Sequence, residues 1–352
     1  MEITKNLVKE SRIDSFDKHN IQFARIYADH MLEATYENGE WQQAAIIPYG
    51  DITMSPATTF IHYGQSIFEG IKAYKQKNGD IAIFRPEENW KRFNISAKRM
   101  CLPEVPYEIF MDGMKELIAI DKNWVPDLDG TSLYIRPFLF ATDEFIGIRP
   151  ATKFKFMIIN SPAGAYYAEP VKIYVQDKYV RAVPGGVGFA KTSGNYAAAM
   201  MPTMEIMEKG YNQNLWLDAL EFKYVQEIGT MNVFFVIGDE IWTPSLDEGT
   251  ILDGITRKSI IELLRSKNMK VVEKRIAIDE IIEAFKNGTL KEAFGAGTAA
   301  VIAPIKLMHY KGLDITLPDV NTWEVSNFVR QYLSDIRFGI IEDEFNWMFK
   351  VI

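Results

Sequence analysis

Val183-Pro-Gly-Gly-Val-Gly-Phe-Ala-Lys191-Thr-Ser-Gly-Asn-Tyr196 is the most informative segment of the chain. A lysine stands there between two glycine-rich segments. Glycine lets backbone approach a bulky ligand closely. A lysine taken at random is most often a solvated surface residue. Presented in this way it becomes a candidate for Schiff-base chemistry, in which a deprotonated amine is held near a carbonyl.

Three other stretches share the unusual character of the first. In Gln226-Glu227-Ile-Gly-Thr230-Met-Asn232 a glutamate precedes a strongly apolar run, Val233–Ile237. Alone it reads as a solvated strand end, whereas a buried carboxylate needs a cationic partner, and a protonated pyridine nitrogen is one. Ile251-Leu252-Asp-Gly254-Ile255-Thr256-Arg257 opens a helix, where backbone N–H groups and a threonine hydroxyl form either a plain cap or an anion cup. Phe294-Gly-Ala296-Gly-Thr298-Ala299-Ala300 fits the G-x-G-x-x-A dinucleotide pattern superficially. No acidic residue follows about 20 positions later at the end of a second strand, and Ala303-Pro304 cuts short any helix. A tight turn offering N–H groups to an anion is the better reading, and a nicotinamide dehydrogenase the remote one. Together the four stretches supply a lysine, an acid and two anion cups. Pyridoxal phosphate requires that set: a lysine for its aldehyde, an acid for its ring nitrogen, a cup for its phosphate.

The rest of the chain is consistent with a globular enzyme. Its 352 residues suggest two domains, and 47% hydrophobic with 24% charged residues are ordinary globular proportions. The net charge of -8 argues against a nucleic-acid partner. No run approaches the ~20 apolar residues of a membrane helix. The segment from Met1 to Asp17 resembles neither a signal nor a transit peptide, so the expectation is a cytoplasmic protein without a membrane partner. A single cysteine, Cys101, excludes an internal disulfide and reads as a buried small hydrophobe. Apolar runs at Ile81–Phe84, Ser132–Phe140, Phe154–Ile159, Val171–Val175, Leu215–Asp218 and Val233–Ile237 predict strands. Helices are predicted over Glu87–Met100, Tyr107–Asp121, Ala197–Lys209, Arg257–Lys267, Asp279–Asn287 and Trp323–Ile336. The Pro- and Gly-bearing segment Ser161–Pro170 is the best candidate for an interdomain loop.

Ordered motifs extend this pattern from about Phe23 to beyond Pro304. They are His62-Tyr63-Gly-Gln-Ser-Ile-Phe68-Glu-Gly, Phe84-Arg-Pro with Asn89 and Arg92, Tyr134-Ile-Arg136-Pro, Lys191-Thr-Ser-Gly-Asn-Tyr196, Glu227-Ile-Gly-Thr230-Met-Asn, Leu252-Asp-Gly-Ile-Thr256-Arg and the Gly-Thr298-Ala turn. In these the chain resembles the branched-chain amino-acid aminotransferases, in the fold group shared with D-amino-acid aminotransferase and aminodeoxychorismate lyase.

The resemblance implies an α/β (α+β) fold of two domains, the type IV pyridoxal-phosphate fold of class IV aminotransferases, with the cofactor at the domain interface. The expected division is a small domain over 1–163, a loop over 164–173 and a large cofactor-binding domain over 174–352. Lys191 is implied as the residue that carries the cofactor and moves the proton, Glu227 as the partner of the ring nitrogen, and Tyr196 as the partner of the 3-oxygen. The phosphate is implied against Arg92, the N–H groups of Ile255 and Thr256, and the Ala296 turn; Thr230, Leu252 and Gly254 belong to the same cofactor set. The family often has Ser or Thr where Ala296 stands, so one hydroxyl donor is missing here, a loss of about 1–2 kcal/mol at most.

The implied substrate set is Phe23, Tyr63, Phe68, Tyr134, Arg136, Tyr166, Thr298 and Ala299. Its aromatics suit a branched aliphatic side chain, although core packing is an equally ordinary use of each. Thr298 and Ala299 would offer N–H groups to the α-carboxylate, and Arg136 and Tyr63 would bind the side-chain carboxylate of glutamate. His62 reads as structural, since the lysine already supplies the base. Some animal members carry a redox-active C-x-x-C after the Gly-Thr turn; Ala300 and Ala303 stand at those positions, so no thiol switch operates there. No metal is expected. The implied reaction is reversible, ping-pong amino transfer between L-leucine, L-isoleucine or L-valine and 2-oxoglutarate, in a homodimer whose Tyr63 loop reaches the neighbouring site. Other enzymes of the fold group, D-amino-acid aminotransferase or aminodeoxychorismate lyase, are the alternative, and a non-catalytic cofactor-binding protein is the rival of another class.

Overall fold

The computed structural model describes residues 2–18, 20–164 and 169–352. Tyr166, one of the expected substrate residues, lies outside the described residues. The chain forms two compact units. The first comprises Met1–Tyr166, Ala190–Ser193 and Asp335–Ile352, the second Tyr167–Phe189 and Gly194–Ser334. Among the described residues no helix is long and apolar enough to cross a membrane.

The first unit is built on a largely antiparallel sheet. Its strands run in the order Thr4–Lys5, Ala45–Pro48, His30–Glu37, Phe154–Ala163, Ser132–Ala141, Ile71–Lys75, Ile81–Phe84 and Met348–Lys350, and Ser66–Phe68 pairs the upper part of Ser132–Ala141. Successive side chains of a strand point to opposite faces, and the sequence uses this fully. Ile67, Ile71, Ala73, Leu133, Ile135, Phe156 and Ile158 turn to one face and are buried with Phe93, Ala97, Phe110 and Leu117 of the covering helices. The alternate residues Phe68, Tyr134 and Arg136 are left for the other face. Helix Pro86–Arg99 begins with proline in its first turn, carries Glu87 and Glu88 there and ends on Lys98 and Arg99, the charge order that suits a helix dipole.

The second unit holds a mixed sheet in the order Val225–Ile228, Gln213–Leu217, Val171–Val175, Val301–Tyr310, Leu290–Gly297, Asn232–Ile237, Glu240–Pro244 and Lys270–Lys274. Parallel neighbours such as Val171–Val175 with Gln213–Leu217 require crossovers, and helix Ser193–Glu208 lies in that connection. Its core gathers Ile173, Leu215, Val233, Phe235, Ile281, Ala293 and Ile305.

Several expectations need correction. Cys101 is exposed, not buried: it follows the end of helix Pro86–Arg99 in the left-handed conformation (φ 55°), a turn position that aims its side chain outward. Ser161, Pro162 and Ala163 are not loop but the last residues of strand Phe154–Ala163, with Ser132 opposite Ala163. Residues 171–173 likewise belong to strand Val171–Val175. The predicted helix over Tyr107–Asp121 contains a wide π turn, Glu108–Asp112, before the α-helix Gly113–Ile120. The helix predicted over Ala197–Lys209 begins four residues earlier, at Ser193, and ends at Glu208. Two segments expected in the second domain sit in the first unit. Met348–Lys350 pairs with Ile81–Phe84, and Ala190–Ser193 joins through the bridge between Thr192 and Ile67. Neither partnership has a local signal, because each joins residues more than 100 positions apart.

Candidate active site

In the first unit, Lys191 is held through its backbone. Its N–H donates to Ser96 Oγ (2.9 Å), and its carbonyl accepts from Phe68 N–H (3.1 Å). Thr192 Oγ1 donates to Ser66 O (2.9 Å), and the Ser66 and Ser193 hydroxyls lie 2.7 Å apart. The lysine therefore lies alongside Ser66–Phe68 next to the isolated bridge between Thr192 and Ile67, and since Ile67 and Phe68 turn to opposite faces its side chain shares the Phe68 face. Its Nζ stands 5.1 Å from the Phe68 ring centroid.

On that face the strand alternation also sets Arg136 beside Tyr134. Arg136 Nη2 donates to the Tyr134 hydroxyl (2.8 Å), and its guanidinium lies 4.5 Å from the Phe68 ring centroid. Phe23 meets Tyr134 edge to face with centroids 4.9 Å apart. Gly70 leaves room for this arrangement, since a Cβ there would stand 2.5 Å from the Tyr134 hydroxyl. Lys191, Phe68, Tyr134, Arg136 and Phe23 are thus one cluster: an amine, a guanidinium and three rings.

Arg92 stands in the same unit and faces Glu69. Its Nε donates to Glu69 Oε1 (2.8 Å) and its Nη2 to Oε2 (2.7 Å), while Asn89 Nδ2 also donates to Oε2 (2.8 Å). Glu69 is wholly buried. Burial alone pushes a carboxyl up, but Arg92, then Lys191 and Asn89, overcome it and hold Glu69 below the usual range.

In the second unit the candidate acid is buried. Glu227 is 3% exposed and accepts from Leu252 N–H at Oε1 (2.5 Å), while Oε2 lies 3.2 Å from Arg181 Nε. Leu252 in turn gives its carbonyl to Asn232 Nδ2 (2.9 Å). The acid is therefore tied to the entrance of helix Ile255–Ser266. Gly254 stands at the N-cap position of that helix, where a Cβ would fall 1.9 Å from Asn232 Oδ1 and displace that side chain. Among the described residues no side chain caps this end, and its first turn carries no acid, although Ile255 and Thr256 are both buried. A buried, uncapped helix start carries partial positive charge on its N–H groups, which suits a phosphate. An ionised carboxylate accepts about four hydrogen bonds, so the Arg181 and Leu252 contacts do not exclude a pyridinium donor at Glu227. The residues present fit pyridoxal phosphate.

The remaining expected residues fall as follows. Tyr196 lies in the first turns of helix Ser193–Glu208. Thr230 is an exposed turn residue between Val225–Ile228 and Asn232–Ile237. Ala296 is buried on strand Leu290–Gly297 opposite Asn232 and Ile302, and Thr298 and Ala299 form the tip of the hairpin that this strand makes with Val301–Tyr310. That hairpin rules out the dinucleotide reading of Gly295-Ala-Gly297, which needs a strand followed by a helix. Tyr63 is 44% exposed, and its ring neighbour among the described residues is His62, outside the Lys191 cluster. His62 Nε2 contacts Pro56 O at 2.8 Å, a structural use.

Sequence reading missed Arg181, Glu69 and Asn232 as members of these groups. The need for a cation beside Glu227 was the one available signal. It pointed to the ring nitrogen and passed over Arg181, which lies 46 positions away in sequence and beside it in the fold.

Comparison with known proteins identifies the class. The family model of class IV amino-transferases matches residues 66–308. The chain belongs to the class IV aminotransferases. It is 45% identical over 339 residues to branched-chain-amino-acid aminotransferase 2 of Bacillus subtilis (strain 168), covering 95% of this chain and 93% of that one. The Escherichia coli branched-chain amino acid aminotransferase superimposes with a TM-score of 0.76 at 26% identity, over 91% of this chain and 99% of that chain. A third relative, a branched-chain amino acid aminotransferase solved with N-(5'-phosphopyridoxyl)-L-glutamate, gives a TM-score of 0.74 at 25% identity over 91% of this chain and 98% of that chain. Within its class the protein is a branched-chain-amino-acid aminotransferase.

Proposed function

We propose that this chain transfers the amino group reversibly between L-leucine, L-isoleucine or L-valine and 2-oxoglutarate, with pyridoxal phosphate as cofactor. The observation that carries this reading is the clamp on Lys191, which sets an amine beside an aromatic wall and a guanidinium. The phosphopyridoxyl-glutamate in the third relative supports both the cofactor and glutamate as the polar partner. When bound, pyridoxal phosphate supplies an electron sink for the carbon that loses its proton.

The chain's own residues do the rest. The Lys191 amine takes the α-proton and returns it to the acceptor carbon, which a single flexible side chain can do without loosening its backbone anchors. Glu227 holds a proton at the ring nitrogen, and its value grows as negative charge develops. Arg92 and the N–H groups at Ile255 and Thr256 bind phosphate, Tyr196 binds the 3-oxygen, and Thr298 with Ala299 receive the α-carboxylate. Phe23, Phe68 and Tyr134 exclude water around an aliphatic side chain. An assay of L-leucine against D-alanine, each with 2-oxoglutarate, tests the reading: turnover of L-leucine supports it, and a preference for D-alanine overturns it.

Arg136→Ala is expected to weaken use of glutamate by about tenfold more than that of leucine, in kcat/KM. Only glutamate brings a second carboxylate for the guanidinium, and a charge-assisted pair contributes about 1.5–3 kcal/mol. Equal losses for the two substrates would remove Arg136 from that role.

The reading includes a homodimer, which brings Tyr63 to a neighbouring site. Support comes from helix Ser193–Glu208, where Met200, Met201, Met204 and Met207 are all at least half exposed. Their spacing of three and four residues makes one apolar face, an uncommon use of surface and one suited to self-association. Met204→Lys is expected to shift the protein from dimer to monomer in light scattering at micromolar concentration. An unaltered dimer mass would take this helix out of the interface.

A further inference from the structure

We propose that Glu69 is the positioning residue for the phosphate anchor Arg92, and through it sets the enzyme's preference for a phosphorylated cofactor. This rests on the reading of Arg92 as a phosphate ligand.

The geometry is that of a built clamp. Both Glu69 oxygens are used by one guanidinium, Nε to Oε1 at 2.8 Å and Nη2 to Oε2 at 2.7 Å, so the plane of Arg92 is fixed as well as its position. Asn89, three residues earlier on the same helix, donates to Oε2 at 2.8 Å and closes the carboxylate from the side. The Glu69 backbone is itself anchored, its N–H donating to Pro137 O (2.8 Å). All three side chains are almost wholly buried: Glu69 0%, Asn89 2% and Arg92 6% exposed.

A buried ion pair of this kind stabilises a fold weakly, since burying both charges offsets much of their attraction. Its use lies in orientation. An arginine has a long side chain with many rotamers, and fixing it before the ligand arrives removes that ordering cost from binding. The pair also keeps the site near electrical neutrality until a phosphate dianion enters. Glutamine at position 69 breaks this. Its amide presents NH₂ where the carboxylate presents an acceptor, so one Arg92 or Asn89 donor meets another donor and the guanidinium plane turns away.

The test compares two probes on the cofactor-free full chain: pyridoxal phosphate and pyridoxal, which lacks the phosphate. Glu69→Gln is expected to raise the dissociation constant for pyridoxal phosphate at least tenfold and leave that for pyridoxal within twofold. A residue that merely supports the fold, or acts on Lys191 alone, weakens both probes equally, and that result overturns the proposal, as does unchanged or tighter binding of pyridoxal phosphate. Arg92→Gln separates the proposal from the reading beneath it. If Arg92→Gln leaves both probes unaffected, Arg92 is not the anchor. If Arg92→Gln loses the phosphate preference and Glu69→Gln keeps it, the anchor stands and the positioning role falls. Should Glu69→Gln fail to fold, Glu69→Asp carries the test, because it keeps the charge but is one methylene too short to reach both nitrogens. The same selective loss is expected, and its absence overturns the proposal.

Discussion

Lys191→Ala is expected to abolish transamination, with turnover falling by at least about 10⁴-fold, because one side chain supplies both the covalent anchor and the proton carrier. The structure makes this a clean experiment. The bonds that place residue 191, its N–H to Ser96 and its carbonyl to Phe68, belong to the backbone and survive the substitution. Thermal unfolding of the cofactor-free variant should match that of the parent within a few degrees. The shifted visible band of covalently held cofactor should vanish. Retention of that band with turnover would mean that another lysine does the work.

The second large effect is expected at Glu227. Glu227→Gln should lower kcat by about 10²–10³, corresponding to roughly 2.7–4 kcal/mol of lost electrostatic stabilisation, with little change in KM. The amide cannot hold a proton on a ring nitrogen as an anion does. It also turns a donor toward the Leu252 N–H, which now donates to the carboxylate, or toward the Arg181 guanidinium, which now forms an ion pair with it. Since the acid's value rises with the charge that develops, its loss falls on the chemical step. A variant whose KM rises while kcat stays at the parent's value would make Glu227 a binding group only.

These two residues show how much of the site was legible beforehand. Lys191 among glycines and Glu227 before an apolar run each had an ordinary reading alone and gained weight only as a set, and helix Ile255–Ser266 starts within the Ile251–Arg257 stretch read as opening a helix. The strands Ile81–Phe84 and Val171–Val175 coincide with the runs that predict them: the first is wholly buried and continuously apolar, and the second alternates buried residues with the exposed Lys172 and half-buried Tyr174. Cys101 went astray because helix termination, and not hydrophobicity, decides its exposure. Arg92 was assigned a ligand from its motif, yet the side chain that grips it in the fold is Glu69, a residue of the separate motif that begins at His62 and one that no local rule singled out.

Read alone, the chain offers candidates for the chemistry: an amine among glycines, an acid before an apolar run, a helix start that is either a plain cap or an anion cup, and an arginine two residues from a tyrosine on one expected strand. Periodicity and composition are local properties, and these features are local. The partners of these residues emerge with folding. Lys191 joins Ser66–Phe68, Met348–Lys350 joins Ile81–Phe84, Arg181 meets Glu227, and Glu69 meets Arg92. The physical reason is the same in each case. A buried charge or an unpaired strand edge must find a complement, and the chain states that need without stating which distant residue meets it.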